Sequence, residues 1–147
     1  MSWEDVDRLR DIWPGKLIVK GIMRADDAER AIAHGADAIV VSNHGGRNLD
    51  SAPATIDVLP GVVAAVGGKA EVIVDSGVRR GADVVKCLAL GASAVLTGRA
   101  TLYGVAAGGQ AGAEKALAIL KDEMKRTMAY IGVQRTSDIG ADAIWRE

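Results

Sequence analysis

Residues 40–50, VVSNHGGRNLD, end an apolar run and then bring Ser42, Asn43, His44, Arg47 and Asp50 together in quick succession. A turn at this point requires the two glycines. It does not require a histidine and an arginine three residues apart at the mouth of a buried strand. Histidine exchanges a proton near neutral pH, and a guanidinium grips a carboxylate or phosphate through paired hydrogen bonds. A lone histidine before two glycines is ordinarily a turn residue, so the rest of the chain must decide between proton chemistry and a plain turn.

The other notable polar residues follow the same placement. Four short apolar runs read as strands: 17–20 (LIVK), 38–43 (AIVVSN), 72–77 (VIVDSG) and 94–99 (AVLTGR). Lys20 closes the first, and Ser42, Asn43 and His44 close the second. Asp75 and Ser76 close the third, and Gly98 and Arg99 close the fourth. The runs are near-continuous in Val, Ile and Leu, the pattern of parallel strands covered on both faces. Helical patterns at 25–35, 55–68 and 81–91 separate them, which makes βαβ units. A helix at 2–13 opens the chain, with Ser2 and Asp5 spaced as a capping box, and a long amphipathic helix over 111–132 closes it.

An internal repeat at an offset of 56 aligns Gly21, Arg24, Asp27, Ala33, Gly35, Ala36 and Ala38 with Gly77, Arg80, Asp83, Ala89, Gly91, Ala92 and Ala94. Equal αβ sectors suit a closed barrel better than an open sheet, whose two edges differ. A complete barrel needs about 250 residues, and this chain has 147 with four strand patterns. The expected fold is therefore α/β of the (β/α)8 TIM-barrel type. Only the C-terminal four βα units are present, as one half-barrel domain over 1–147. In such barrels the rim at the C-terminal strand ends carries the active site. DSGVRRG and TGRA are glycine-bearing turns leading into helices, and with Arg79, Arg80 and Arg99 they predict an anion site of the kind found after strands seven and eight.

Composition adds exclusions. With 49% hydrophobic and 25% charged residues and a net charge of −1, the chain is an ordinary globular one, and nothing points to nucleic acid or an anionic membrane. No apolar run is long enough to span a bilayer. The single cysteine, Cys87, cannot form an internal disulfide, which predicts a reducing cytoplasmic setting and a buried, inert thiol. The absence of Phe leaves the core to Ala, Val, Ile and Leu. His34 reads as a helix C-terminal residue, Asp26 and Asp27 as first-turn helix charges, and Trp3, Trp13 and Trp145 as packing residues. No metal site is expected.

SNHGGRNLD, DSGVRRG and TGR, in this order and spacing, resemble the FMN-dependent α-hydroxy acid dehydrogenases and oxidases, among them glycolate oxidase, lactate dehydrogenase and mandelate dehydrogenase. The resemblance covers essentially the whole chain. It implies FMN as cofactor and a small (S)-2-hydroxy acid of the lactate, mandelate or glycolate type as substrate. It further implies that His44 is the catalytic base and that Arg47 clamps the substrate carboxylate. By the same resemblance Lys20 lies beside the flavin and Ser42 contacts it. Asp75, Ser76, Gly77 and Arg79, with Gly98 and Arg99, match the ribityl and phosphate contacts. Asn48 and Ser76 depart from the family's frequent glutamine and glycine. The aspartate that orients the histidine, and the tyrosines of the substrate pocket, belong in the family to the barrel half that is missing here.

The resulting expectation is an oxidoreductase acting on CH–OH. The alternative is an isolated half barrel that binds FMN or phosphate without turnover. A third reading, another phosphate-binding barrel enzyme such as a nucleotide dehydrogenase or sugar-phosphate isomerase, leaves the His44–Arg47 pair without a task. A half barrel exposes strand edges, so the partner is expected to be a second copy in a homo-oligomer or a missing N-terminal half. The electron acceptor is open. Peripheral attachment to the inner membrane through a missing segment is the alternative to a plain cytoplasmic location.

Overall fold

A computed structural model describes residues 2–145. Strands and helices alternate: α1 (Trp3–Ile12), β1 (Ile18–Ile22), α2 (Ala25–Ala33), β2 (Ala38–Val41), α3 (Thr55–Val66), β3 (Glu71–Val74), α4 (Gly81–Ala89), β4 (Ala94–Val95) and α5 (Arg99–Tyr130). The four strands form one parallel sheet in chain order, β1-β2-β3-β4. Ile18 pairs with Ala38, Ala38 with Glu71, and Ile73 with Ala94. This is one side of a TIM barrel, as expected.

The core lies between the sheet and its helices. Ile39 and Val41 of β2 and Val72 and Val74 of β3 are buried against Leu59, Val62 and Val66 of α3 and Ala28 and Ala31 of α2. Aliphatic and small residues fill this layer without any Phe, and Cys87 is buried in it. Burial pushes the Cys87 thiol up to about 11, so it is protonated and inert at neutral pH. A second cluster joins α4 to α5 through Val85, Ala89 and Met128. Gly81 makes that approach possible: a Cβ there would lie 2.1 Å from the Met124 backbone nitrogen.

The 56-residue repeat is visible in the backbone. Gly21 and Gly77 both take positive φ, at 105° and 82°, as do Gly35 and Gly91, at 83° and 98°. α1 begins as expected, with the Ser2 amide donating to Asp5 Oδ2 at 2.8 Å. His34 caps α2, contacts Asp7 at 2.7 Å and stacks on Trp3 with ring centroids 5.4 Å apart.

Four expectations need correction. β2, β3 and β4 stop short of the residues read as their ends, because left-handed φ at His44, Ser76 and Gly77 and an irregular Gly98 turn the chain out of the sheet. β1 instead runs on to Ile22, with a register shift between Lys20 and Ile22. The final helix starts at Arg99 and is broken at Gly108 and Gly109, so α5 has two arms, over 99–107 and 110–130. Of the three tryptophans read as packing residues only Trp3 packs against the core, whereas Trp13 is 54% and Trp145 87% exposed.

Candidate active site

The strand ends open on one cleft of about 390 Å³. Lys20, from β1, points across it and donates to Ser42 Oγ at 2.9 Å, with Asp75 Oδ2 at 2.8 Å. The alternation of side chains along a strand puts Lys20 on the sheet face opposite the helices, beside the polar ends of β2 and β3. Burial works to raise the Asp75 carboxyl. Hydrogen bonds from Lys20, Ser42 and Ser76 outweigh it and hold the group below the usual carboxylate range, so Asp75 is ionised at neutral pH.

His44 follows β2 in a tight turn. Its φ is 57°, a left-handed value that costs a non-glycine residue about 1–2 kcal/mol. Hydrogen bonds hold the turn. The His44 amide donates to Ser42 Oγ at 3.2 Å, and the Gly45 amide donates to Asn43 Oδ1 and Ser76 Oγ at 3.0 Å each. From the far side Arg99 donates to the Gly45 carbonyl at 2.9 Å. The His44 ring rests over Gly21, where a Cβ would sit 3.1 Å from Nε2. Arg47 ends the same turn and lines the cleft.

Nine of the ten candidate residues therefore border one space: Lys20, His44, Arg47, Asp75, Ser76, Gly77, Arg79, Gly98 and Arg99. Ser42 is the exception. It is 1% exposed, so it supports Lys20 and the His44 turn from beneath and does not form the cleft wall. Arg80, read as part of the anion site, is also displaced. It turns away to pair with Glu123 at 2.7 Å. The start of α4 is satisfied internally, since the amides of Arg79 and Arg80 donate to Asp83 and that of Gly81 to Glu123. The amides at the start of α4 are thus taken up within the protein, and Arg79 and Arg99 lie at the Gly77 and Gly98 turns. Among the described residues neither Arg47 nor Arg79 has a carboxylate partner, and no carboxylate contacts the His44 ring.

Sequence reasoning missed Gly21 and Thr55 as site residues. Gly21 was visible only as a repeat position. Thr55, buried at the first turn of α3, donates to the carbonyls of Asp75 and Ser76 at 2.8 and 3.2 Å and so fixes the third strand end. A threonine at a helix start gives no signal of such a long-range bond.

Residues 1–146 match the family model of the FMN-dependent dehydrogenases. The chain belongs to that family. It is 53% identical over 139 residues to the L-lactate oxidase of a Nostoc species, covering 95% of this chain and 38% of the relative. It is 52% identical over 138 residues to the pre-mycofactocin synthase of Mycobacterium tuberculosis, covering 94% of this chain and 35% of that protein. The solved structure of the monotopic membrane protein (S)-mandelate dehydrogenase superposes with a TM-score of 0.96 at 50% identity, over 100% of this chain and 39% of that one. This member of the FMN-dependent dehydrogenases thus spans less than two-fifths of the length of these relatives. No helix among its described residues is long and apolar enough to cross a membrane.

The cleft fits the family's cofactor. Lys20, Arg47, Arg79 and Arg99 against the single carboxylate of Asp75 leave a net positive charge for a phosphate. Gly77 and Gly98 leave open space where a side chain would intrude: a Cβ on either would meet no atom within 4 Å. Lys20 and Asp75 supply a donor and an acceptor for the polar groups of a flavin and its ribityl chain.

Proposed function

We propose that this chain carries the base, the carboxylate clamp and the phosphate side of an FMN-dependent oxidoreductase that converts a small (S)-2-hydroxy acid, of the lactate, mandelate or glycolate type, to the 2-oxo acid. The observation that carries this reading is the single cleft shared by His44, Arg47, Lys20 and the two glycine-arginine turns. In this reading residues 1–147 form one C-terminal half-barrel domain.

FMN, when bound, supplies the two-electron acceptor. Asp75, Gly77, Arg79, Gly98 and Arg99 would hold it, with Arg79 and Arg99 taking the phosphate. Lys20, pinned by Asp75 and Ser42, keeps a fixed positive charge on the cleft floor, where it stabilises negative charge arising during the reaction. Arg47 grips the substrate carboxylate through its fork of donors and so orients the α-carbon and its hydroxyl. His44 accepts a proton from the substrate as the α-carbon becomes a carbonyl carbon and gives up two electrons.

A second reading, binding without turnover, is favoured by one observation: no carboxylate among the described residues orients the His44 ring. One experiment separates the two. FMN is added anaerobically to the purified protein, followed by (S)-lactate or (S)-mandelate. Loss of the oxidised-flavin absorbance supports the oxidoreductase, and retention of FMN with unchanged absorbance supports binding alone. Equal affinity for FMN and riboflavin would count against any role of Arg79 and Arg99 in holding a phosphate.

A further inference from the structure

Ser76 stands in a backbone conformation that disfavours it. Its φ is 70°, a value glycine adopts without steric cost. What serine adds over glycine here is a hydroxyl, and that hydroxyl is engaged in both directions. It donates to Asp75 Oδ1 at 2.8 Å and accepts the Gly45 amide at 3.0 Å. The other Asp75 oxygen lies 2.8 Å from Lys20 Nζ. Thr55 fixes the carbonyls of Asp75 and Ser76 from below. A continuous line therefore runs from Lys20 through Asp75 and Ser76 to the peptide that follows His44.

We propose that Ser76 is a positioning residue for His44, acting through the Gly45 amide. The inference rests on the reading of His44 as the base. His44 is itself left-handed, with φ 57°, and the two glycines after it follow at 71° and 75°. Such an arc is costly to hold with local bonds alone. Asn43 supplies one local acceptor, and Ser76 supplies the one that ties the arc to the neighbouring strand. Because the Ser76 hydroxyl donates its hydrogen to Asp75, a lone pair of its oxygen is turned to accept the Gly45 amide. The same carboxylate that faces Lys20 therefore also sets the direction of the strut.

Ser76→Gly tests this, because glycine keeps the left-handed backbone and removes only the hydroxymethyl group with its two hydrogen bonds. Two measurements are needed, one independent of turnover. In the purified protein without substrate, amide hydrogen exchange should rise about fivefold or more at Gly45 and stay unchanged in the core strands at Val41 and Val74. With FMN and a 2-hydroxy acid, kcat should fall about tenfold or more, since small displacements of a reacting group are costly, while KM for the acid and affinity for FMN hold within about twofold. Unchanged exchange at Gly45 would overturn the proposal, and so would a rise spread through β2 and β3, which would mark Ser76 as a general structural residue. Faster exchange at Gly45 with kcat unchanged would overturn it too. A parent protein inert toward every 2-hydroxy acid, with the local change in exchange still seen in the variant, would instead overturn the oxidoreductase reading for this chain and leave the strut in place.

Discussion

His44 and Arg47 share one turn, and the tasks proposed for them separate experimentally. His44→Gln removes the proposed proton acceptor and leaves the cleft's charge and shape nearly intact. Rapid-mixing measurements should show substrate-driven flavin reduction slowed by about 10²–10⁴, with FMN affinity little changed. Wild-type reduction rates would remove His44 from the mechanism. Arg47→Lys keeps the charge but not the paired fork, so steady-state kinetics should show a higher KM and a lower kcat together. An unchanged kcat/KM would mean that the carboxylate is held elsewhere. At this scale the sequence was informative about side chains and poor about backbone. His44, Arg47 and the arginines of the turns were legible from their types and positions. The support beneath them was not: the Gly21 seat under the imidazole, the Thr55 bond to the third strand end and the burial of Ser42 depend on segments far apart in sequence. Arg80 shows the reverse case. It has the same local signature as Arg79, and only the packing of α5 against α4 reveals that Glu123 claims it.

At the scale of elements, one glycine and one carboxylate, Gly81 and Asp37, hold neighbouring sectors together. Gly81 begins α4 against the backbone of α5, and Gly81→Ala would place a methyl 2.1 Å from the Met124 nitrogen. The helices must separate, and denaturant unfolding should show a loss of about 1–3 kcal/mol. At the opposite end of the sheet Asp37 joins α1, β1 and β2. Its carboxyl is lowered to about 2, chiefly by the hydrogen bond from Lys16, then by the Leu17 amide, with Arg10 adding to the effect. A depressed carboxylate contributes stability above its unfolded pKa of about 3.9, and that contribution is lost as pH falls toward 2. Thermal melts of Asp37→Asn should therefore fall less steeply between pH 4 and 2 than those of the parent, and identical acid limbs would exclude the linkage. The elements themselves were largely legible, because apolar runs and helical periods are local signals. Their ends were not. Ser76 looks like a strand continuation in sequence, and only its positive φ removes it. The first arm of α5 was not read as helix, which was expected only over 111–132, and its junction with the second arm runs through Gly104 and Gly112. In the structure they are the points where the two arms touch, with a Cβ on Gly112 only 1.9 Å from the Gly104 carbonyl oxygen.

For the whole molecule, the open question is what stands beside β1 and β4. Both are edges of the sheet among the described residues. Ile18 on β1 is 50% exposed, and apolar side chains near both edges, Ile12 and Trp13 on one side and Leu102 and Tyr103 on the other, face outward. Such edges seek partners. In isolation the chain should sediment at micromolar concentration as a dimer or larger species, or else fold poorly. A compact monomer that unfolds cooperatively would show that the edges are tolerated. The chain-order sheet has a further consequence, for how the molecule comes into being. Every strand pairs with its neighbour in sequence, across separations of 20, 33 and 21 residues from Ile18 to Ala38, Ala38 to Glu71 and Ile73 to Ala94. Loop-closure entropy grows only with the logarithm of length, so the longest of these costs about half a kcal/mol more than the shortest. No pairing waits for a distant segment to arrive, and each βα sector can lay itself against the last one as it leaves the ribosome.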